Sequence, residues 1–182
     1  MAGMSYLVSI GLLVLVAAWA VAVYNRLHHL HGRMAEAWEH WMKATRMRNA
    51  CVEDFAAAVA VALPAGDMLP RSLRRLAHDS RMELERATAG KSDTAAMRAA
   101  LTERELRRVL QRFEPAMEEL AAQPSREHLQ FLGTQVNIAL FQQAQHARIF
   151  NRLAADYNAA LQDTPGRILG PVFGFDEACT LE

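Results

Sequence analysis

The chain reads as an all-α protein in which an N-terminal transmembrane helix continues into an antiparallel up-and-down four-helix bundle with long first and last helices. Three observations predict this. Residues 6–24 carry no charged side chain. The rest of the chain repeats its apolar residues in steps of three and four, the period of a helix face. The six prolines fall mostly between those periodic segments, and no competing strand pattern is present. The expected organisation is a short tail at 1–5, a membrane anchor at 6–24, a helical bundle at 25–163 and an apolar tail at 164–182.

The anchor comes first. A run of about 20 apolar residues at a rise of about 1.5 Å each crosses a hydrocarbon core of roughly 30 Å. Tyr6 and Tyr24 stand at its two ends, where amphipathic rings favour the membrane interface. Ala18-Trp19-Ala20 offers the small residues of a secretory cleavage site, but residues 1–4 hold no Lys or Arg to form a basic leader. Arg26, Arg33, Lys43, Arg46 and Arg48 follow the run, and only the terminal amine precedes it. The positive-inside rule then places the N-terminus outside and the body in the cytoplasm, as a single-pass protein. Cys51 and Cys179 lack metal-type spacing and fit unpaired thiols in a reducing compartment. The balance of 20 basic and 20 acidic residues argues against a nucleic-acid binder.

Helix one is expected to run on from the anchor through Gly32 to about Leu63. Met34, Trp38, Trp41, Thr45, Arg48, Val52, Phe55, Val59 and Ala62 alternate in steps of four and three and form one coiled-coil-like seam. Pro64 and Pro70 bracket a turn at 65–69. Helix two presents Leu69, Leu73, Leu76 and Leu84, with Arg71, Arg74, Arg75 and Arg81 largely elsewhere. A second turn is expected at 90–93. Helix three opens at Thr102, with Glu105 completing a capping-box pattern, and presents Leu106, Val109, Leu110, Phe113, Met117 and Leu120. Pro115 should kink it. A third turn spans 122–125. Helix four starts near Ser125 and shows Leu129, Leu132, Val136, Leu140, Ala147, Phe150, Ala154, Tyr157 and Leu161, and Pro165 closes it.

The expected lengths are unequal. The soluble part of helix one and all of helix four each run roughly 54 Å, against about 30 Å for helices two and three. The half nearest the membrane should therefore be a two-helix stalk of residues 27–45 against 143–161, with Trp38, Trp41, Phe150 and Tyr157 on facing sides. An even number of helices returns the chain to the membrane side. The tail then emerges there with Ile168, Leu169, Val172, Phe173 and Phe175, and Gly166, Gly170, Pro171 and Gly174 are expected to interrupt regular helix. Such a tail can pack on the stalk, dip into the headgroups or dock a protein, because apolar exposure of that size is unusual in a soluble monomer.

Two blocks carry a family resemblance. Asp156-Tyr157-Asn158, followed by Thr164-Pro165-Gly166-Arg167-Ile168-Leu169-Gly170-Pro171-Val172-Phe173-Gly174-Phe175, resembles the close of LemA family proteins, in which DYN and a short spacer precede FPxNLIAxxFGF. Tyr24-Asn25-Arg26-Leu27 and Glu36-Ala37-Trp38 resemble the YNxLV and EAW stretches of that family. Arg46 and Arg48 resemble the basic pair that follows its tryptophan region. The resemblance implies a membrane-anchored, all-helical domain of the bacterial inner membrane whose molecular activity is not settled. It covers mainly residues 22–48 and 147–176. The DLIPNL of the family stands here as Ala50-Cys51-Val52-Glu53-Asp54-Phe55, and its acidic, polar pattern early in the last helix is replaced by Asn137-Ile138-Ala139-Leu140-Phe141-Gln142-Gln143.

The sequence contains no His-Glu-x-x-His, no glycine-rich phosphate loop, no nucleophile elbow and no spaced cysteine set. His28, His29 and His31 cluster beside the anchor. Successive helical residues point about 100° apart, so at most His28 and His31 share a face, and no carboxylate follows before Glu36. Interfacial or packing histidines are the simpler reading. The sequence therefore predicts no enzyme, no metal, no cofactor and no small-molecule substrate. It predicts a membrane-anchored interaction or scaffold module whose partners are the lipid bilayer and another protein. The expected contact residues are Trp38, Trp41, Arg46, Arg48, Phe150, Tyr157, Ile168, Leu169, Val172, Phe173 and Phe175. Two alternatives stay open. A single-span sensory or signalling bundle departs from the usual receptor plan, which has a second span, and no second apolar run of spanning length is present here. An enzyme would need convergent titratable groups that sequence spacing does not reveal.

Overall fold

The computed structural model describes residues 2–63, 68–89, 102, 104–106, 108–111 and 126–181. Every regular element among them is a helix: α1 (Ala2–Ala62), α2 (Leu69–Ala89), α3 (Arg126–Gln162) and α4 (Thr164–Phe173). The described residues between 102 and 111 are helical as well; the helix start expected at Thr102 turns on residues outside the described ones. Of the turn expected at 65–69, Met68 is a bend and Leu69 already opens α2, while residues 65–67, the turns expected at 90–93 and 122–125, and the kink at Pro115 lie outside the described residues.

α1 runs unbroken past Gly32, around which nothing approaches within 4 Å of a Cβ position, so that residue interrupts no packing. Its expected seam is present. Trp41, Thr45, Arg48, Val52, Phe55 and Val59 are buried, and Met34, Trp38 and Ala62 are half-buried. The start of the helix is different in kind. Its apolar window has a mean hydropathy of 2.5 and none of it is buried. Among the described residues this is the one helix long and apolar enough to cross a membrane.

The chain divides into two compact units, Met1–Ala37 with Ile149–Thr180, and Trp38–Arg148 with Leu181–Glu182. In the first unit α1 and α3 are antiparallel: Arg26 lies 3.8 Å from Asp163, and the His31 ring lies 5.7 Å from that of Tyr157. Leu27, Tyr157, Ala160 and Leu161 form the centre of this unit, with Val23, Leu30, Met34, Phe175 and Ala178 packed around them.

The second unit is the multi-helix core. Val52, Phe55, Ala56 and Val59 of α1 meet Leu73, Leu76 and Ala77 of α2, Leu106, and Leu129 and Val136 of α3. The α1–α2 pair is antiparallel, since Glu53 bonds Arg81 at 3.0 Å while Trp41 and Met42 cluster with Leu84. These contacts correct the expected stalk. Trp38 and Trp41 belong to the multi-helix unit, because the 21-residue α2 extends far enough to lay Leu84 against them. The two-helix part is shorter than 27–45 against 143–161.

The tail also differs from expectation. Gly166, Gly170 and Pro171 do not interrupt helix there, and residues 164–173 form α4. After Asp163 (φ −58°, ψ 148°) the chain turns sharply, with Pro165 in the first turn, where its missing N–H is no loss. A Cβ on Gly166 would run into the Ala160 carbonyl oxygen and come within 2.9 Å of the Leu161 Cα. Only glycine lets α4 fold back against the end of α3. Gly174 ends α4 at φ 72°, where the left-handed region favours glycine. The Phe175 N–H donates to the Gly170 carbonyl (2.9 Å) and the Gly174 N–H to that of Pro171 (3.3 Å), a Schellman close.

Candidate interaction surfaces

The residues that carry the C-terminal motif converge in the first unit. The Tyr157 hydroxyl donates to the Asp176 carbonyl at 3.0 Å. Asn158 bonds the backbone of Ala178 twice, through Nδ2 to the carbonyl and through Oδ1 from the N–H, each at 2.8 Å. Phe175 and Ala178 complete the apolar cluster around Leu27. Burial, and secondarily the charge of Asp176, push the Tyr157 hydroxyl above its ordinary pKa. The tail therefore packs on the helices here, one of the three roles open to it from sequence. Phe150 and Tyr157 are buried, at 6% and 1% exposure, so their expected contact role gives way to packing.

His28, His29 and His31 are all exposed, and two of them make ring contacts. His28 stacks on Tyr24 (5.7 Å between rings, 11° between planes), and His31 lies against Tyr157 and Phe175. Among the described residues no group of three His, Cys, Asp or Glu side chains is placed to hold a metal ion.

α4 turns its glycines inward and Ile168, Val172 and Phe173 outward. Gly166 and Gly170 are buried, while Ile168 and Val172 are 60% and 73% exposed and Phe173 is 37% exposed. Leu169 and Phe175 are half-buried. The Phe173 ring meets that of Tyr24 edge-on at 5.2 Å.

In the second unit the expected contact residues separate. Arg46 is exposed and Trp38 half-buried, whereas Trp41 and Arg48 are enclosed. Arg48 is part of an internal polar knot. Its Nη2 donates to Asn49 Oδ1 (2.6 Å) and Ser80 Oγ (3.1 Å), and Asn49 Nδ2 donates to the same Ser80 Oγ (3.1 Å). A guanidinium without solvent access requires such acceptors, because an unpaired buried charge is strongly unfavourable. The knot joins α1 to α2, and Arg48 therefore offers nothing to lipid or partner. Its place on the seam at Trp41, Thr45, Arg48 and Val52 is the signal in the sequence for burial.

Two further surfaces are not marked by any sequence motif. Arg71, Arg74, Arg75 and His78 are exposed around an open groove of about 620 Å³ that Ala60, Pro70, Glu53 and Arg81 also line. Glu53 pairs with Arg81, and Asp79 lies 3.6 Å from Arg75, which leaves the groove with a surplus of positive charge. The three- and four-residue spacing of these arginines was visible, but it fits an ordinary solvated helix face equally well. On α3, Phe131, Ile138 and Phe141 are exposed, a second stripe offset from the buried one and hidden in sequence by its polar neighbours.

No family model matches the chain, and comparison with curated proteins and with solved structures finds no match.

Proposed function

We propose that this protein is a single-span membrane anchor carrying a cytoplasmic helical scaffold, a divergent member of the LemA type, which holds a protein partner at the inner membrane. The observation that carries the reading is the start of α1. Side chains such as Leu7, Leu13 and Leu15 stand 72%, 70% and 67% exposed in a run without charge. Burial of each large apolar side chain is favourable by about 1.5–3 kcal/mol, so a run of this length calls for a lipid phase. The family reading draws support from Tyr157, Asn158 and Phe175, motif residues that meet in one clasp.

The surface best suited to a protein partner is the α2 groove, whose arginine surplus fits an acidic segment. The test is site-specific photo-crosslinking in intact membranes from a probe at position 74. A discrete adduct that disappears with Arg71→Glu is the expected result. Absence of any adduct, or an adduct indifferent to charge reversal, contradicts the scaffold reading at this surface. Release of the full chain from membranes by alkaline carbonate contradicts the anchor.

A further inference from the structure

The outward face of α4 has a specific occupant. A ten-residue helix that packs by burying its glycines and presenting Ile168, Val172 and Phe173 has the reverse of the arrangement found in a water-facing helix, where the large apolar side chains turn inward. The face lies next to the apolar run. Phe173 touches Tyr24 (5.2 Å between rings), Phe175 approaches the same ring (5.9 Å), and Tyr24 closes the uncharged stretch 6–24. Whatever phase covers that stretch up to Tyr24 therefore continues onto the C-terminal end of α4. Groups typical of a membrane interface surround it. Arg26 and Arg167 are exposed, the former 3.8 Å from Asp163, and Tyr24 stacks with His28.

We propose that α4 is an interfacial helix that inserts Ile168, Val172 and Phe173 into the headgroup–acyl boundary of the bilayer anchoring α1, so that the first unit rests on the lipid surface. The proposal builds on the anchoring reading above. An amphipathic helix gains most at that depth, with its apolar face among the upper acyl carbons and its polar groups among the headgroups. The close approach allowed by Gly166 holds α4 against α3, and the Tyr24–Phe173 contact sets its depth. The bilayer is preferred over a protein because the exposed face is continuous with the span and needs no additional component.

The test uses the full chain with Cys51→Ser and Cys179→Ser, carrying one fluorophore at Val14→Cys, Val172→Cys or Arg74→Cys, in vesicles of phosphatidylcholine and phosphatidylglycerol. Val172 and Arg74 are exposed, so labels there leave the fold intact, which circular dichroism verifies. Lipids brominated at different acyl depths should quench positions 14 and 172, the latter most strongly from the shallowest bromines, and leave 74 bright. If 14 is quenched and 172 is not, the anchor stands and the interfacial helix is wrong; protection of 172 only in native membranes would then assign this face to a protein. If 14 is not quenched, the anchoring reading fails and the interfacial helix fails with it.

Discussion

The side-chain amide of Asn158 is paired with the backbone of Ala178 in both directions, at 2.8 Å each way. A carboxamide has the same donor and acceptor as a peptide group, so one side chain on α3 satisfies an otherwise irregular strand of tail. Tyr157, one residue earlier, bonds Asp176. The Tyr-Asn pair thus works as a clasp that fixes the C-terminal segment.

Asn158→Leu keeps the approximate volume but removes both bonds. It should cost about 1–3 kcal/mol, the penalty for stranding polar groups. Amide exchange in residues 175–180 should accelerate while exchange in the second unit stays constant. Unchanged exchange in the tail would show that the apolar contacts of Phe175 and Ala178 suffice.

The Tyr157 hydroxyl supplies a pH signature. Its folded pKa lies above the ordinary value of 10.0 through burial and the charge of Asp176. A raised folded pKa favours the neutral form, so the stabilisation is complete below the unfolded pKa and is lost as pH rises through the folded one. Melting temperature should fall above about pH 10 more steeply in the native chain than in Tyr157→Phe. Identical pH profiles would remove Tyr157 from the clasp.

Gly166→Ala should be costly although it adds one methyl group, because the obstruction is the Ala160 carbonyl and the Leu161 backbone rather than a movable side chain. The expected loss is about 1–3 kcal/mol, together with detachment of α4 seen as protease cleavage near Arg167. Gly32→Ala, with open space around it, should be neutral or slightly stabilising. Equal effects at the two positions would contradict the corner between α3 and α4.

Much of this architecture was legible in the sequence for one physical reason. Period-3.6 burial writes itself directly into residue type, so the seam from Met34 to Ala62 and the Leu129–Leu161 stripe lie where their spacing put them. The tail is less legible because glycine has two opposite meanings. Gly166 and Gly170 look like helix breakers by propensity, yet here they are the residues that permit helix against helix. Arg48 shows a similar limit. A charged residue on an apolar seam signals burial by position and exposure by chemistry, and Ser80, 32 residues away, decides between them. The surfaces on α2 and on the outer side of α3 could not be told from solvated helix faces without the packing.

Phe55, 4% exposed in the second unit, should lose about 3–5 kcal/mol on replacement by Ala. Trp38, half-buried at the edge of the Trp41–Leu84 cluster, should lose clearly less. Ser80→Ala should cost about 1–3 kcal/mol by removing an acceptor from Arg48 and Asn49. Chemical denaturation of the three variants checks the order, and equal losses from Phe55→Ala and Trp38→Ala would argue for one uniform core.

Anchorage with a cytoplasmic body is tested most directly at Cys179, which is exposed, while the Cys51 thiol is half-buried and shifted upward by burial and by Asp54, so that it reacts more slowly. A membrane-impermeant maleimide applied to intact cells expressing the Cys51→Ser chain should leave Cys179 unlabelled and should label it fully once the inner membrane is permeabilised. Labelling of Cys179 in intact cells, equal to that after permeabilisation, would contradict a body facing the cytoplasm.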